Sequence, residues 1–243
     1  MDVFDDLAAE QDRLAGLLGS LDDQQWSSSS GATGWSIADV VLHLAQTEEA
    51  AVAAVGHAGT PQMWRRSEES VDDAADAAVR SQRMAGAAVF ERWQAARRAS
   101  VVALRSADPS VRVPWVASTL TPATLATTRL AEHWAHGLDI TDPLRLPFPD
   151  TDRLRHIAWL GHRTLPYACQ VAGIEAHEVY CELTAPGGDT WRFGPESAES
   201  RISGSAGEFC RVGARRLAPE QTSLITTGPH AADALRVLRN YAA

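Results

Sequence analysis

Apolar positions recur at helical spacing through most of the first 140 residues. Val3, Leu7, Leu14 and Leu18 share one face of a segment spanning 2–20, which predicts an amphipathic helix. A turn-rich stretch, Ser27 to Gly34, follows. Ile37, Val40, Val41 and Leu44 form a second stripe. Ser36 opens it as a cap, with Asp39 three residues on, where it favours the positive helix end; this helix runs to about Gly56. After a loop holding Gly59 and Pro61, the recurrence of Val89, Phe90, Trp93, Val101 and Leu104 predicts one long third helix from about Ser70 to Leu104. Pro109 and Pro114 mark the next loop. Thr121-Pro122, a cap residue and then proline at the first helical position, opens a fourth helix reaching about Ile140. Pro143, Pro147 and Pro149 then break the chain. Four helices with short or moderate connections predict an antiparallel bundle.

Beyond it the pattern changes. A fifth helix runs from Asp150-Thr151 to about Ala172. Val179–Leu183 alternates apolar and polar residues, Pro186-Gly187-Gly188-Asp189 is a turn, and Thr190–Phe193 is a second short strand, so the stretch predicts a hairpin. Arg201–Ser203 is a candidate third strand. A helical segment at 205–216, an apolar run Ser223–Thr226 and a last helix around Ala231–Tyr241 complete the chain. The expected class is α+β: a four-helix domain over 1–145, then a small mixed α/β domain over 146–243 with a leading helix.

Composition narrows the function. The 243 residues are 45% hydrophobic and 22% charged, ordinary for a globular protein and against disorder. No apolar run approaches a membrane span, and the acidic start Met1–Asp6 resembles no targeting segment; the expected location is cytoplasmic. A formal charge of −9, with arginines scattered rather than clustered, argues against nucleic-acid binding. The sequence contains no lysine, which excludes a lysine Schiff base and a phosphate loop of the GxxxxGK type. Cys169, Cys181 and Cys210 match no CxxC spacing and read as buried structural thiols.

The sharpest local signal is Ala131-Glu132-His133-Trp134-Ala135-His136-Gly137-Leu138-Asp139. Glu132 and His136 are four residues apart, hence one helical turn apart on one face, a spacing that suits two ligands of one metal. Arg129, Glu132, His136 and Asp139 form a polar stripe opposite Leu130, Ala131, Trp134 and Leu138. The other reading is a solvated face with Arg129–Glu132 and Glu132–His136 pairs. His43 lies beside Val40 and Leu44 and points into the bundle. A buried imidazole needs a partner, either an ordinary hydrogen bond or a metal shared with Glu132 and His136. Two histidines and a carboxylate leave open coordination positions, as at a catalytic rather than a structural zinc. Zinc is the first choice, with nickel, iron or manganese as alternatives. Asp139 is a candidate partner for a ligand histidine. His133, about 100° round the helix from Glu132, is a weaker ligand candidate. Trp35, Trp93, Trp134 and Trp159 read as core packing.

Gly34-Trp35-Ser36-Ile37-Ala38-Asp39-Val40-Val41-Leu42-His43-Leu44-Ala45, joined with Glu132, His136, Gly137, Leu138 and Asp139, resembles the mycothiol-dependent maleylpyruvate isomerase family, one of the DinB-like metal-binding helical bundles. The tail Val179–Gly194 with Phe209–Gly228 looks like that family's C-terminal domain, which is similar to sterol carrier proteins. The resemblance implies that His43, Glu132 and His136 are the metal ligands and that a low-molecular-weight thiol, mycothiol, is brought to the metal as a thiolate. In the isomerase the thiolate would add to a conjugated double bond; rotation and elimination would then give the other geometric isomer. In relatives acting as S-transferases the sulfur would stay attached. The family also uses a C-terminal-domain arginine near the active site. Among Arg211, Arg215 and Arg216 the choice falls on Arg215, which could hold a substrate carboxylate.

Three functions therefore compete. The first is a metal-dependent, thiol-assisted isomerase or S-transferase acting on a small electrophilic metabolite. The second is an enzyme using the same cavity for another isomerisation, cyclisation or hydrolysis, without thiol or metal or with the metal as Lewis acid. The third is a non-enzymatic small-molecule binding protein. A monomer and a homodimer are both consistent with the sequence.

Overall fold

A computed structural model describes residues 2–56, 70–116 and 118–241. The expected loop at Gly59 and Pro61, and His57, lie outside the described residues. The chain forms two compact units, one essentially 1–148 and one 149–241.

In the first unit, α1 (Val3–Leu18), α3 (Ile37–Val55), α5 (Gly86–Ser106) and α6 (Pro122–Leu144) pack as a bundle, joined by the short α2 (Asp23–Ser27) and by α4 (Val71–Ser81). The cap of α3 is a reciprocal box. Ser36 Oγ accepts from the Asp39 amide at 3.1 Å, and Asp39 Oδ2 accepts from the Ser36 amide at 3.0 Å. Asp39 is also gripped by both arms of Arg83, at 2.9 and 3.0 Å. Leu14, Leu18, Ile37, Val40, Val41, Leu44, Val89 and Trp93 close into one buried cluster.

The single long helix expected over 70–104 is two helices, α4 and α5, separated at residues 82–85. No proline marks the break. Gly86 begins α5 against Trp26, and a Cβ there would lie 2.4 Å from that indole. The segment expected as a loop around Pro114 contains a small hairpin, β1 (Val113–Trp115) with β2 (Ser118–Leu120), and Val116 at its turn has a φ of 25°.

Helix α6 was expected to end near Ile140, yet it runs through Pro143 to Leu144. Proline has no N–H, so the carbonyl four residues earlier, Asp139, loses its helical donor. The Gly31 amide takes that place at 2.7 Å. Glycine suits the approach, because a Cβ on residue 31 would meet Asp139 Cα at 3.0 Å and push the two segments apart by a few tenths of an ångström. A second close approach fixes the same turn: a Cβ on Gly137 would lie 2.4 Å from Phe148 Cζ. Gly137→Ala is therefore expected to destabilise the first unit by about 1–3 kcal/mol through overpacking, despite alanine's better helix propensity. A urea unfolding curve checks this, and a stabilised variant would contradict it.

In the second unit the expected fifth helix is also two, α7 (Leu154–Arg163) and α8 (Leu165–Ala172), with Pro166 restarting the helix just after Thr164. The sheet has the order β4-β3-β5-β6, built from β3 (Val179–Thr184), β4 (Thr190–Phe193), β5 (Ser200–Ser205) and β6 (Ile225–Thr227). β3 and β5 are parallel and the other pairs antiparallel. Helix α9 (Ala206–Gly213) buries Phe209 and packs on α7, β3 and β5. The last helix, α10, is shorter than expected, Ala231–Val237. Among the described residues no helix is long and apolar enough to cross a membrane.

Candidate metal centre

Helix α3 supplies His43, and α6 supplies Glu132 and His136. Glu132 Oε2 lies 3.6 Å from His43 Nε2 and 3.4 Å from His136 Nε2. One donor atom from each of the three residues falls within 4.8 Å of the other two. These separations are long for hydrogen bonds, which cluster near 2.7–3.2 Å. They suit donors sharing one ion, since two ligands each ~2.0–2.1 Å from a tetrahedral zinc sit roughly 3.3 Å apart.

The surroundings prepare these donors. His136 Nδ1 is 2.8 Å from Asp139 Oδ2, so the neutral ring donates from Nδ1 and presents the Nε2 lone pair towards Glu132. His43 is buried and its Nδ1 has no hydrogen-bond partner among the described residues. Trp35 flanks the pair, its ring centroid 5.2 Å from that of His43 and 6.5 Å from that of His136, with its indole N–H on Asp76 at 2.9 Å. The side chains of Glu132 and His136 keep 26% and 12% of their exposure, so one flank of the trio is open.

Burial is the largest influence on each group. It lowers the pKa of His43. It pushes Glu132 up, but the two flanking imidazoles outweigh it and hold this carboxyl well below the usual 4.5. It pulls His136 down, but Asp139 and Glu132 outweigh it and keep the ring above 6.5. In metal-free protein His136 thus contributes stability that is full below 6.5 and lost as pH rises through its raised pKa. The stability difference between chelator-treated wild type and His136→Gln is expected to shrink as the pH is raised from below 6.5. A difference that stays constant in urea midpoints would contradict this.

His133 is not part of the trio. Its Nδ1 donates to the Arg129 carbonyl at 2.8 Å and its Nε2 accepts from Trp93 Nε1 at 3.1 Å, so both nitrogens are engaged. Burial pushes it down to about 4, consistent with a neutral core imidazole. The stripe read as a candidate solvated face is buried at Arg129 and Asp139, 2% and 4% exposed. Arg129 bonds Glu48 through Nε at 2.7 Å and Thr47 through Nη2 at 2.6 Å. Sequence reasoning assigned no role to Thr47 or Glu48. They lie within a polar run, Gln46-Thr47-Glu48-Glu49, that follows His43 on the same helix.

Arg215 belongs to the second unit. It is exposed, holds the left-handed position after α9 with φ 60°, and places Nη1 3.4 Å from the Arg236 carbonyl. Arg211 is engaged by both oxygens of Asp150 at 2.7 and 3.0 Å. Cys169, Cys181 and Cys210 are free and buried. Burial raises the pKa of all three, that of Cys181 to about 12.

Residues 7–141 match the family described as the mycothiol maleylpyruvate isomerase N-terminal domain. Two uncharacterized proteins of Mycobacterium tuberculosis, from strains CDC 1551 / Oshkosh and ATCC 25618 / H37Rv, are each 35% identical to this chain over 246 residues, covering 98% of it and 94% of their own length. Among solved structures, a mycothiol-dependent maleylpyruvate isomerase aligns with TM-score 0.62 at 16% identity, over 93% of this chain and 95% of that one. A mutant of that enzyme aligns at 0.59 and 15% over the same shares. At such identities these two likenesses bear on the fold.

Proposed function

This chain belongs to the mycothiol maleylpyruvate isomerase family, and on that premise we propose that it is a thiol-assisted isomerase of a small electrophilic metabolite, centred on one divalent metal held by His43, Glu132 and His136. The observation that carries the reading is the convergence of these three donors, within 4.8 Å of one another, on a partly open flank of the bundle. The set of two imidazoles and one carboxylate favours zinc with a position left for a further ligand.

Bound there, the ion would supply a cationic centre that favours the deprotonated, nucleophilic form of an incoming thiol. The chain's own residues do the rest. Asp139 fixes the His136 tautomer, Glu132 supplies the negative charge between two imidazoles, and Trp35 walls one side. The protein's own thiols are poor substitutes for an external one, since burial keeps all three protonated. An external low-molecular-weight thiol such as mycothiol meets that need. Arg215 is kept as the candidate carboxylate-binding group of the second unit.

Metal analysis of the purified protein, followed by thermal melts with mycothiol, tests the reading. The expected result is about one ion per chain, removable by chelator, and a rise in melting temperature with mycothiol that disappears after metal removal. A protein that carries no ion and takes up none on dialysis against zinc overturns the metal centre. Metal without any response to mycothiol overturns the use of that thiol. Mass spectrometry of the product separates isomerisation, which returns the thiol, from S-transfer, which retains it.

A further inference from the structure

The bundle holds an ion pair that is costly to bury. Glu48 is 0% exposed and Arg129 2%. Taking two charges out of water is a penalty their attraction often only just repays, so such a pair is a poor stabiliser compared with well-packed apolar residues. Its position gives it another use. Thr47 and Glu48 follow the ligand His43 on α3 by four and five residues, and Arg129 precedes the ligand Glu132 on α6 by three. Arg129 Nε donates to Glu48 Oε1 and Nη2 to Thr47 Oγ1, at 2.7 and 2.6 Å. The Thr47 hydroxyl lies 2.9 Å from the backbone carbonyl of His43 itself. The tie between α3 and α6 therefore lies one turn from the point where the two helices present their ligands.

The tie extends to α5. Ser100 Oγ donates to the other Glu48 oxygen, Oε2, and Trp93 donates to His133. Trp115 of the small hairpin lies beside the guanidinium, its ring centroid 5.8 Å from Arg129 Cζ. Glu132 thus sits between two anchored neighbours on its own helix, Arg129 three residues before and His133 one residue after. Their bonds to α3 and α5 resist rotation of α6 about its axis, and such a rotation would swing Glu132 away from His43.

We propose that Arg129 and Glu48 form a positioning pair that sets the spacing and rotation of α3 against α6, so that His43 meets Glu132 and His136 around one ion. This rests on the metal reading above. The pair touches neither metal nor substrate; it acts through the ligands.

The test is zinc affinity, measured by competition with a chromophoric chelator, beside the melting temperature of the chelator-stripped protein. The double variant Glu48→Met/Arg129→Met replaces both charges with apolar chains of similar length. It is expected to stay folded, with a stripped melting temperature near that of wild type, and to bind zinc about 10–100-fold more weakly, as when the outer partners of metal ligands are lost. A folded double variant with wild-type affinity overturns the proposal, and so does a loss of stability without a loss of affinity. Should the double variant not fold, Arg129→Lys keeps the charge and loses the two-pronged geometry; weaker zinc binding supports the positioning role, and unchanged binding overturns it. Wild-type protein that binds no zinc sinks this proposal together with the metal centre. Tight wild-type binding that the variants share sinks this proposal alone.

Discussion

Glu132→Gln is expected to empty the proposed metal centre while leaving the bundle folded. The substitution keeps the shape of the side chain and removes the one negative charge among the three donors. Glu132 Oε2 is the atom both imidazoles face, at 3.6 and 3.4 Å, so its loss affects the whole trio. Losing an outer partner of a metal ligand typically weakens binding by about 10–100-fold, and a ligand contributes more than its outer partner, so zinc affinity should fall by more than roughly 100-fold. Folding should survive, because the Glu132 side chain keeps 26% of its exposure and water can solvate the amide. Metal content after dialysis, with a far-ultraviolet spectrum for the fold, decides the matter. A folded variant that retains its zinc would remove Glu132 from the ligand set.

The largest expected loss of stability comes from Glu48→Ala. It leaves the Arg129 guanidinium, 2% exposed, without its carboxylate in the core. Breaking one side of a buried pair typically costs about 3–5 kcal/mol, mostly the penalty of the charge left behind. Ser100→Ala, which removes only one hydroxyl donor from the same carboxylate, should cost about 1.5–3 kcal/mol, the range for a single hydrogen bond to a charged group. Urea unfolding of both variants gives the comparison. A Glu48→Ala variant no less stable than Ser100→Ala would mean that water reaches Arg129 and that the pair is not dry. The double replacement by methionine, which leaves no stranded charge, should be far milder than Glu48→Ala alone.

The parts of this molecule that follow local rules were legible in the sequence. The reciprocal cap of Ser36 and Asp39, the Thr121-Pro122 helix start and the alternation in Val179–Leu183 each rest on neighbours within a few residues, and the structure has a helix or strand at each. Glu132 and His136 could be paired for the same reason, since their spacing alone puts them on one face. Breaks set by distant packing were not legible. The gap between α4 and α5 carries no proline, and the close seat of Gly86 on Trp26 exists only once the chain has folded. Arg129 shows the same limit in the site. A charge at three residues from a glutamate reads as a solvated pair, and only the arrival of Glu48 from another helix makes it an interior residue. His43 could be placed inside the bundle from its apolar neighbours, which left an ordinary hydrogen bond and a metal shared with Glu132 and His136 both open, and it was the family resemblance that favoured the second.

The proline within α6 bears on any attempt to stabilise this protein by idealising its helices. Pro143→Ala looks like a free improvement in a table of propensities. Here the new amide would compete with the Gly31 N–H for the Asp139 carbonyl. That competition would loosen the segment before Trp35 from the residue that orients His136. The irregularity works as a clasp, and a smoother helix would surrender it.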